Sequence, residues 1–207
     1  MSPAPAVQVV LASRNPKKLI EMRRIFTPVV PGIEVLGLDD VTAFDEPAET
    51  ELTFAGNALI KARAALAATG LPSLADDSGI CVDALNAMPG VLSARWSGHA
   101  RDDAANNALL LAQIADFGDD KRGAQFRCAV ALCAPGVEVV EDGVMAGRVL
   151  RAPRGDGGFG YDPLFCADGY DVSTAELSPA EKDAISHRGK ALRAIAPHVG
   201  TVLAPNA

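Results

Sequence analysis

Positive charge is scarce in this sequence, which has 19 lysines and arginines against 26 aspartates and glutamates among 207 residues. The formal net charge is therefore -7. Proteins that bind nucleic acid over a broad surface show a basic patch or a high isoelectric point. We expect no nucleic-acid partner. A small anionic ligand remains open, provided that a local basic cluster or a metal ion binds it.

Cysteine is also scarce, and its spacing suits neither a metal site nor a disulfide framework. Cys81, Cys128, Cys133 and Cys166 form no C-x-x-C pair, so we interpret them as reduced core residues. The N-terminus lacks the basic segment and the apolar stretch of a signal peptide. No apolar run approaches the ~20 residues that span a bilayer. These absences predict a cytoplasmic protein without a membrane partner.

Hydrophobic residues make up 49% of the chain, which is enough for a substantial core. Strand-like runs alternate with helical runs in the first half, and Pro135-Gly136 separates two β-like runs in a hairpin pattern. This order is typical of an α/β fold with a mixed, elongated and twisted sheet flanked by helices. We expect residues 1–207 to form one domain of two lobes with a central cleft. Residues 1–6 and 204–207 are predicted to be disordered or extended.

The first motif is a strand-turn-helix unit near the N-terminus. Residues 7–12 are typical of a buried strand, Asn15 suits a helix N-cap and Pro16 suits the first helical position. The exposed N–H groups of such a helix start bind phosphate. Lys17 and Lys18 oppose the helix dipole there, and a bound polyphosphate would reverse that unfavourable effect. The alternative is that both lysines extend into water.

The second motif consists of two adjacent carboxylates, Asp76 and Asp77, which follow an apolar run and precede a predicted turn at Ser78 and Gly79. Adjacent like charges repel, and burial adds a desolvation penalty. A hard divalent ion such as Mg²⁺, placed between the carboxylates and a phosphate, would remove both effects. The alternative is an ordinary solvated turn.

A helix over about residues 54–68, capped by Thr53, precedes this motif. Asn57 and Lys61 are four residues apart and share a helix face. Periodicity leaves two orientations open for that face, toward solvent or toward a cleft. The acidic loop of residues 45–51 before the helix is of a kind that is usually solvated.

The third motif is a glycine-rich loop at residues 154–163. Its four glycines allow the backbone to approach a flat ligand closely. An exposed aromatic side chain here, Phe159 or Tyr161, can stack on a nucleobase. The alternative is a β-bulge with two core aromatics.

The fourth motif lies on the C-terminal helices. Ser178 is predicted to begin a helix with a capping box, and Lys182 lies in the first turn of that helix. His187 and Arg188 are hydrogen-bond donors at a helix break, where they can point into a pocket. The last helix is predicted to end near Pro197.

Together these motifs resemble the inosine triphosphate pyrophosphatase family, also called HAM1-like. The matching stretches are SRNPKK (13–18), ADDSG (75–79), GFGYDP (158–163) and KDAISHRG (182–189). The resemblance covers nearly the whole chain and implies a homodimer of two-lobed α/β subunits. It also implies Mg²⁺-dependent hydrolysis of dITP, ITP and XTP to the monophosphate and pyrophosphate. The sequence departs from the family pattern at Arg14 and Glu51, where glycine is frequent, and at Gly56, where glutamate is frequent.

The resemblance also implies roles for individual residues. Asp77 would accept a proton and would bind the metal together with Glu49. From the chemistry of the reaction we further expect Asp76 to assist at the metal and Lys61 to stabilise the leaving charge, and Asn57 is an additional candidate. The triphosphate would contact Ser13, Arg14, Asn15, Pro16, Lys17 and Lys18. The rest of the nucleotide would contact Ser78, Phe159, Gly160, Tyr161, Asp162, Lys182, His187 and Arg188.

Base selection should depend on position 6 of the purine. Hypoxanthine and xanthine present a carbonyl there, whereas adenine presents an amino group, which would leave buried donors from Arg188 or loop N–H groups unpaired. Two alternatives remain open. One is a Maf-like nucleotide pyrophosphatase of different base specificity, and the other is a non-catalytic nucleotide-sensing module.

Overall fold

The computed structural model describes residues 7–98 and 102–203, so both terminal segments predicted to be disordered lie outside it. These two ranges contain eleven helices and strands, with short 3-10 helices between some of them. They are β1 (Val7–Leu11), α1 (Pro16–Phe26), β2 (Ile33–Leu36), α2 (Phe54–Thr69), β3 (Ser73–Val82), α3 (Asp103–Gln113), β4 (Gly123–Ala134), β5 (Val137–Val149), β6 (Phe165–Ala167), α4 (Pro179–Ile185) and α5 (His187–Leu203).

The strands form one six-stranded mixed sheet in the order β2-β1-β3-β4-β5-β6. Strand β1 pairs in parallel with β2 and β3, with Val9 opposite Val35, whereas β5 and β6 pair antiparallel. Strands β4 and β5 are neighbours joined at Pro135-Gly136, which confirms the predicted hairpin. The predicted mixed α/β class is therefore confirmed.

The chain divides into two compact units. The first contains the described residues up to Asp77, Ala129–Asp142 and the described residues from Arg188 onward, and the second contains Ser78–Cys128 and Gly143–His187. Small side chains dominate one core cluster of the first unit, where the α2 alanines pack with strand residues. Larger apolar side chains from α3, β4 and β5 form a core of the second unit.

The central motif lies within a strand, so the predicted Ser78-Gly79 turn is wrong. Strand β3 continues from Ser73 to Val82 without interruption. Gly79 permits a close approach, because a Cβ at this position would collide with the Ser93 side chain. Ser93 Oγ instead accepts a hydrogen bond from the N–H of Ile80 at 2.9 Å. Ser93 is 13 residues from Ile80 along the chain, which is beyond the range of local turn propensity.

The predicted end of the last helix is also wrong, because α5 continues through Pro197 to Leu203. Val199, beyond the proline, is fully buried, and burial of this face outweighs the weak helix propensity of proline.

Two predictions about composition can be compared with the structure. Each of the four cysteines, all within the described ranges, is buried and outside any disulfide. In residues 7–98 and 102–203, no helix is both long enough and apolar enough to cross a membrane.

Candidate active site

The start of α1 presents the residues that were predicted to bind phosphate. Asn15 is the N-cap, and its side chain accepts a hydrogen bond from the N–H of Lys17 at 3.0 Å. Ser13 Oγ accepts a hydrogen bond from the N–H of Asn15 at 3.3 Å. Pro16 is in the first turn, which within the described part of the chain carries no acidic residue. The helix dipole at this end is therefore not offset by a carboxylate of its own first turn.

Asp76 is the centre of a buried charge cluster in the first unit. Its Oδ2 atom lies 2.9 Å from Lys18 Nζ and 3.0 Å from Arg188 Nε. Arg188 Nη1 in turn lies 2.6 Å from Glu21 Oε2. Burial alone would raise the pKa of Asp76, but the charges of Lys18, Arg188 and Lys61 outweigh it and hold that pKa well below its usual range. Asp76 is therefore a fixed anion.

The pKa of Asp77, the next residue, is shifted in the opposite direction. Its Oδ2 accepts a hydrogen bond from Asn57 Nδ2 at 3.0 Å, and its Oδ1 lies 3.9 Å from Lys61 Nζ. Burial raises the pKa of Asp77; Lys61 opposes that rise and the negative charge of Glu49 adds to it. Neighbouring carboxylates whose pKa values move apart are suited to different tasks. Asp77 is the one suited to accept a proton.

Lys61 connects the acidic loop to strand β3. Its ammonium lies 2.8 Å from Glu49 Oε1 and donates to the carbonyl oxygen of Asp76 at 2.7 Å. Burial lowers the pKa of Lys61, but the nearby carboxylates outweigh burial and raise it, so the side chain is charged. Asn57 Oδ1 accepts a hydrogen bond from the N–H of Glu51 at 2.9 Å. Asn57 and Lys61 are both buried, which excludes the orientation toward solvent.

The carboxylate oxygens of Glu49 and Asp77 are suitable ligands for a hard divalent cation. Both carboxylates lie near the Lys61 ammonium, and the charge of Glu49 contributes to the raised pKa of Asp77. Ions such as Mg²⁺ prefer carboxylate oxygens and retain water or substrate oxygens as further ligands. Within the described residues, no group of three or more His, Cys, Asp or Glu forms a metal site. An ion at Glu49 and Asp77 would therefore need oxygens from a ligand or from water.

The glycine-rich loop carries a second group of predicted residues, in the second unit. Asp162 Oδ2 accepts a hydrogen bond from the N–H of Phe159 at 2.8 Å and lies 2.6 Å from Lys182 Nζ. That ammonium lies 5.1 Å from the centroid of the Phe159 ring, a cation–π distance. Tyr161 is buried, and its hydroxyl donates to the carbonyl oxygen of Ser93 at 2.9 Å. Of the two aromatics, only Phe159 has a partly exposed side chain.

The glycine-rich loop contains no strand in the described chain, so the β-bulge considered for it is wrong. The loop lies between β5 and a short 3-10 helix at Asp162–Leu164. That alternative also placed both aromatics in the core. Tyr161 is buried in the core, whereas Phe159 is partly exposed.

The remaining predicted residues differ in their surroundings. His187 is buried, and its ring stacks on Phe126 with centroids 4.8 Å apart. Ser78 is partly buried within β3. Arg14 is largely exposed and lies 3.3 Å from Glu46. The break between α4 and α5 falls at Ser186, as predicted.

The contacts of Arg188 differ from the base contact that the sequence predicted for it. Its Nε and Nη1 atoms pair with Asp76 and Glu21, and its side chain is 3% exposed. These two donors are thus directed at carboxylates of the first unit. The sequence did not predict Glu21 as a site residue. The one signal for it was an acidic residue beside the apolar face of α1.

The mixed sheet and this buried set of acids and cations define an α/β protein with a candidate site for a metal and an anion. The chain belongs to the Ham1 family, whose model matches residues 9–198. It is 60% identical over 192 residues to a dITP/XTP pyrophosphatase of Nocardia farcinica, covering 92% of this chain and 93% of that protein. It is 56% identical over 191 residues to a dITP/XTP pyrophosphatase of Mycobacterium tuberculosis strain H37Rv, covering 92% and 94%.

Solved structures agree with this membership. The nucleoside-triphosphatase/dITP/XTP pyrophosphatase of Mycobacterium abscessus is 54% identical, with a TM-score of 0.76 and coverage of 92% of this chain and 99% of that one. The Ham1 protein of Staphylococcus aureus is 35% identical, with a TM-score of 0.83 and coverage of 94% and 98%. Membership of this family favours the interpretation drawn from the motifs over the Maf-like alternative.

Proposed function

We propose that this chain is a Mg²⁺-dependent nucleoside triphosphate pyrophosphatase. It converts dITP, ITP and XTP to the monophosphate and pyrophosphate, and so removes non-canonical purines from the nucleotide pool. The observation that carries the proposal is the contrast between Asp76, a fixed anion paired with Lys18, and Asp77, whose pKa is raised. Relatives at 56–60% identity named dITP/XTP pyrophosphatase support the choice of substrate.

Hydrolysis in this proposal begins with a water molecule near Asp77. The water oxygen forms a bond to the α-phosphorus while Asp77 accepts a proton. The bond from the α-phosphorus to the bridging oxygen breaks, and pyrophosphate leaves with that oxygen. Bound Mg²⁺, ligated by Glu49 and Asp77, would neutralise phosphate charge and make the water more acidic.

The charges that stabilise the leaving group come from α1 in this proposal. The start of α1 offers N–H groups, and Lys18 offers an ammonium whose position is fixed by Asp76. Donors set in place before the reaction stabilise developing charge without reorganisation. Arg188 acts indirectly, because it joins Asp76 to Glu21 and so fixes the carboxylate that holds Lys18.

The glycine-rich loop and Lys182 bind the base in this proposal. The Phe159 ring stacks on the purine, as aromatic side chains do with nucleobases. Lys182 donates to the 6-carbonyl, because an ammonium has three N–H donors and Asp162 accepts from it. Adenine has no carbonyl at position 6 and would leave this donor unpaired.

A substrate panel tests the proposal. The purified protein is incubated with Mg²⁺ and dITP, XTP, dGTP, dATP or dTTP, and both pyrophosphate and monophosphate are measured. We expect both products from dITP and XTP, with much lower rates for dATP and dTTP. Preference for a pyrimidine triphosphate would support the Maf-like alternative. Binding of dITP without pyrophosphate release would support the nucleotide-sensing module.

The assembly and location inferred from the sequence also belong to this proposal. We propose a cytoplasmic homodimer, which sedimentation equilibrium tests directly. A mass equal to a single chain across the micromolar range would contradict the dimer.

A further inference from the structure

Helix α3 holds the backbone of the glycine-rich loop at Gly160. The N–H of Gly160 donates to Asp103 Oδ2 at 2.7 Å. Asn107 Nδ2 donates to the carbonyl oxygen of the same glycine at 3.0 Å. Asp103 and Asn107 are four residues apart on α3 and so share one helix face. All three residues lie in the second unit.

These contacts act on the peptides that flank Phe159. The N–H of Phe159 donates to Asp162 at 2.8 Å, and the next peptide N–H, that of Gly160, donates to Asp103. Because carboxylates hold both peptides, the direction of the Phe159 Cα–Cβ bond is fixed. Asn107 fixes the following peptide as well.

The loop needs this external support because its own sequence favours freedom. Residues 151–158 are exposed, and Gly160 has a φ of 62°, in the left-handed region that glycine adopts readily. A glycine-rich loop loses more conformational entropy on ordering than other segments do. Because contacts from α3 order the loop before a ligand binds, less of this entropy loss opposes binding.

Helix α3 is a suitable platform for this purpose. Asp102 caps its start by accepting a hydrogen bond from the N–H of Ala105 at 3.1 Å. Leu110, two turns beyond Asp103 on the same side of the helix, is fully buried in the core and anchors α3 there. Side chains presented by a packed helix hold a site more precisely than side chains of a loop.

We infer that Asp103 and Asn107 are positioning residues that determine base specificity. They hold the loop so that Phe159 and Lys182 meet the purine in one orientation, in which the 6-carbonyl is distinguished from an amino group. This inference rests on the proposed function, and it adds two residues of α3 that contact the loop backbone rather than the ligand.

The test compares three kinds of variant. Asp103→Ala and Asn107→Ala each remove one contact to Gly160, while Asp103→Asn keeps an oxygen acceptor. Gln113→Ala is the matched control, because it removes the hydrogen bond that Gln113 accepts from Trp96 at the other end of α3 without touching Gly160. For each protein, kcat and KM are measured with dITP and dATP, and the melting temperature is recorded.

We expect Asp103→Ala to raise KM for dITP by roughly three- to tenfold, the effect of one lost hydrogen bond. The ratio of kcat/KM for dITP over dATP should fall by a similar factor, while kcat for dITP changes less than twofold. Asn107→Ala should act in the same direction, and Asp103→Asn should recover most of the ratio. Gln113→Ala should leave the ratio unchanged, with at most a small fall in the melting temperature.

Three results would overturn the inference. A wild-type ratio in both Asp103→Ala and Asn107→Ala would overturn it alone and leave the proposed function intact. An equal loss of selectivity in Gln113→Ala would show that general disturbance of α3 is responsible. A wild-type protein that releases no pyrophosphate from dITP would overturn the proposed function and this inference with it.

Discussion

Lys61 lies with its ammonium nitrogen 2.8 Å from Glu49 Oε1, so a buried cation of α2 contacts an acid of the preceding loop. The same ammonium donates to the carbonyl oxygen of Asp76 in β3. One side chain therefore links the loop, the helix and the strand that carry the proposed metal ligands. The Lys61 ammonium offsets only part of the negative charge of the acids around it, which leaves an excess of negative charge for a metal ion to neutralise.

Replacement of Asp77 tests the proton acceptor. Asp77→Asn keeps an oxygen at the same place but removes the basic group, so we expect kcat for dITP to fall by about 10²–10⁴, the usual contribution of a general base. The unfolding free energy should stay close to the wild-type value, because the raised pKa shows that burial disfavours the charged form of Asp77. Near-normal turnover would remove Asp77 from this role.

Replacement of Asp76 should have a different signature, because its charge is stabilised by Lys18 and Arg188. Asp76→Asn leaves both cations without their shared carboxylate, and breaking a buried ion pair destabilises by about 3–5 kcal/mol. Urea unfolding monitored by circular dichroism measures this difference. An unfolding free energy within about 0.5 kcal/mol of wild type, the range of ordinary surface substitutions, would contradict the role of this cluster in stability.

Replacement of Glu49 tests its role as a metal ligand. Glu49→Gln removes a charged oxygen donor, so we expect the Mg²⁺ concentration that gives half-maximal activity to rise about tenfold or more. Asp45→Asn, an exposed position in the same loop, is the control and should leave that concentration unchanged. The same Mg²⁺ dependence in both variants would exclude Glu49 as a ligand.

Two departures from the family pattern lie against each other, at Glu51 and Gly56. A Cβ at position 56 would lie 2.6 Å from Glu51 Cβ and 2.8 Å from Glu51 Cγ, so the space for a larger residue is already filled. We expect Gly56→Ala to destabilise the protein by about 1–3 kcal/mol through overpacking, less any gain in helix propensity. In the Glu51→Gly background the same change should stabilise the helix. Additive effects in this double-mutant cycle would show that the two positions are independent.

Local signals predicted the helix starts well. The caps at Asn15, Thr53 and Ser178 were all predicted, because each depends on a side chain and an N–H two or three residues away. The adjacent carboxylates and the lysines were likewise recognised as unusual from their neighbours alone.

The partners of those residues could not be predicted in the same way. Arg188 pairs with Asp76, 112 residues away, and with Glu21, 167 residues away. No periodicity links such positions, so the sequence suggested a base contact where the structure has a charge cluster. The predicted turn at Gly79 failed for the same reason, since its close contact is with Ser93.

The central claim is that water attacks the α-phosphorus of a non-canonical purine triphosphate beside Asp77. Hydrolysis of dITP in ¹⁸O-labelled water, followed by mass spectrometry of both products, tests it most directly. The account predicts one labelled oxygen in the monophosphate and none in pyrophosphate. Label in pyrophosphate, or release of orthophosphate as the first product, would contradict it.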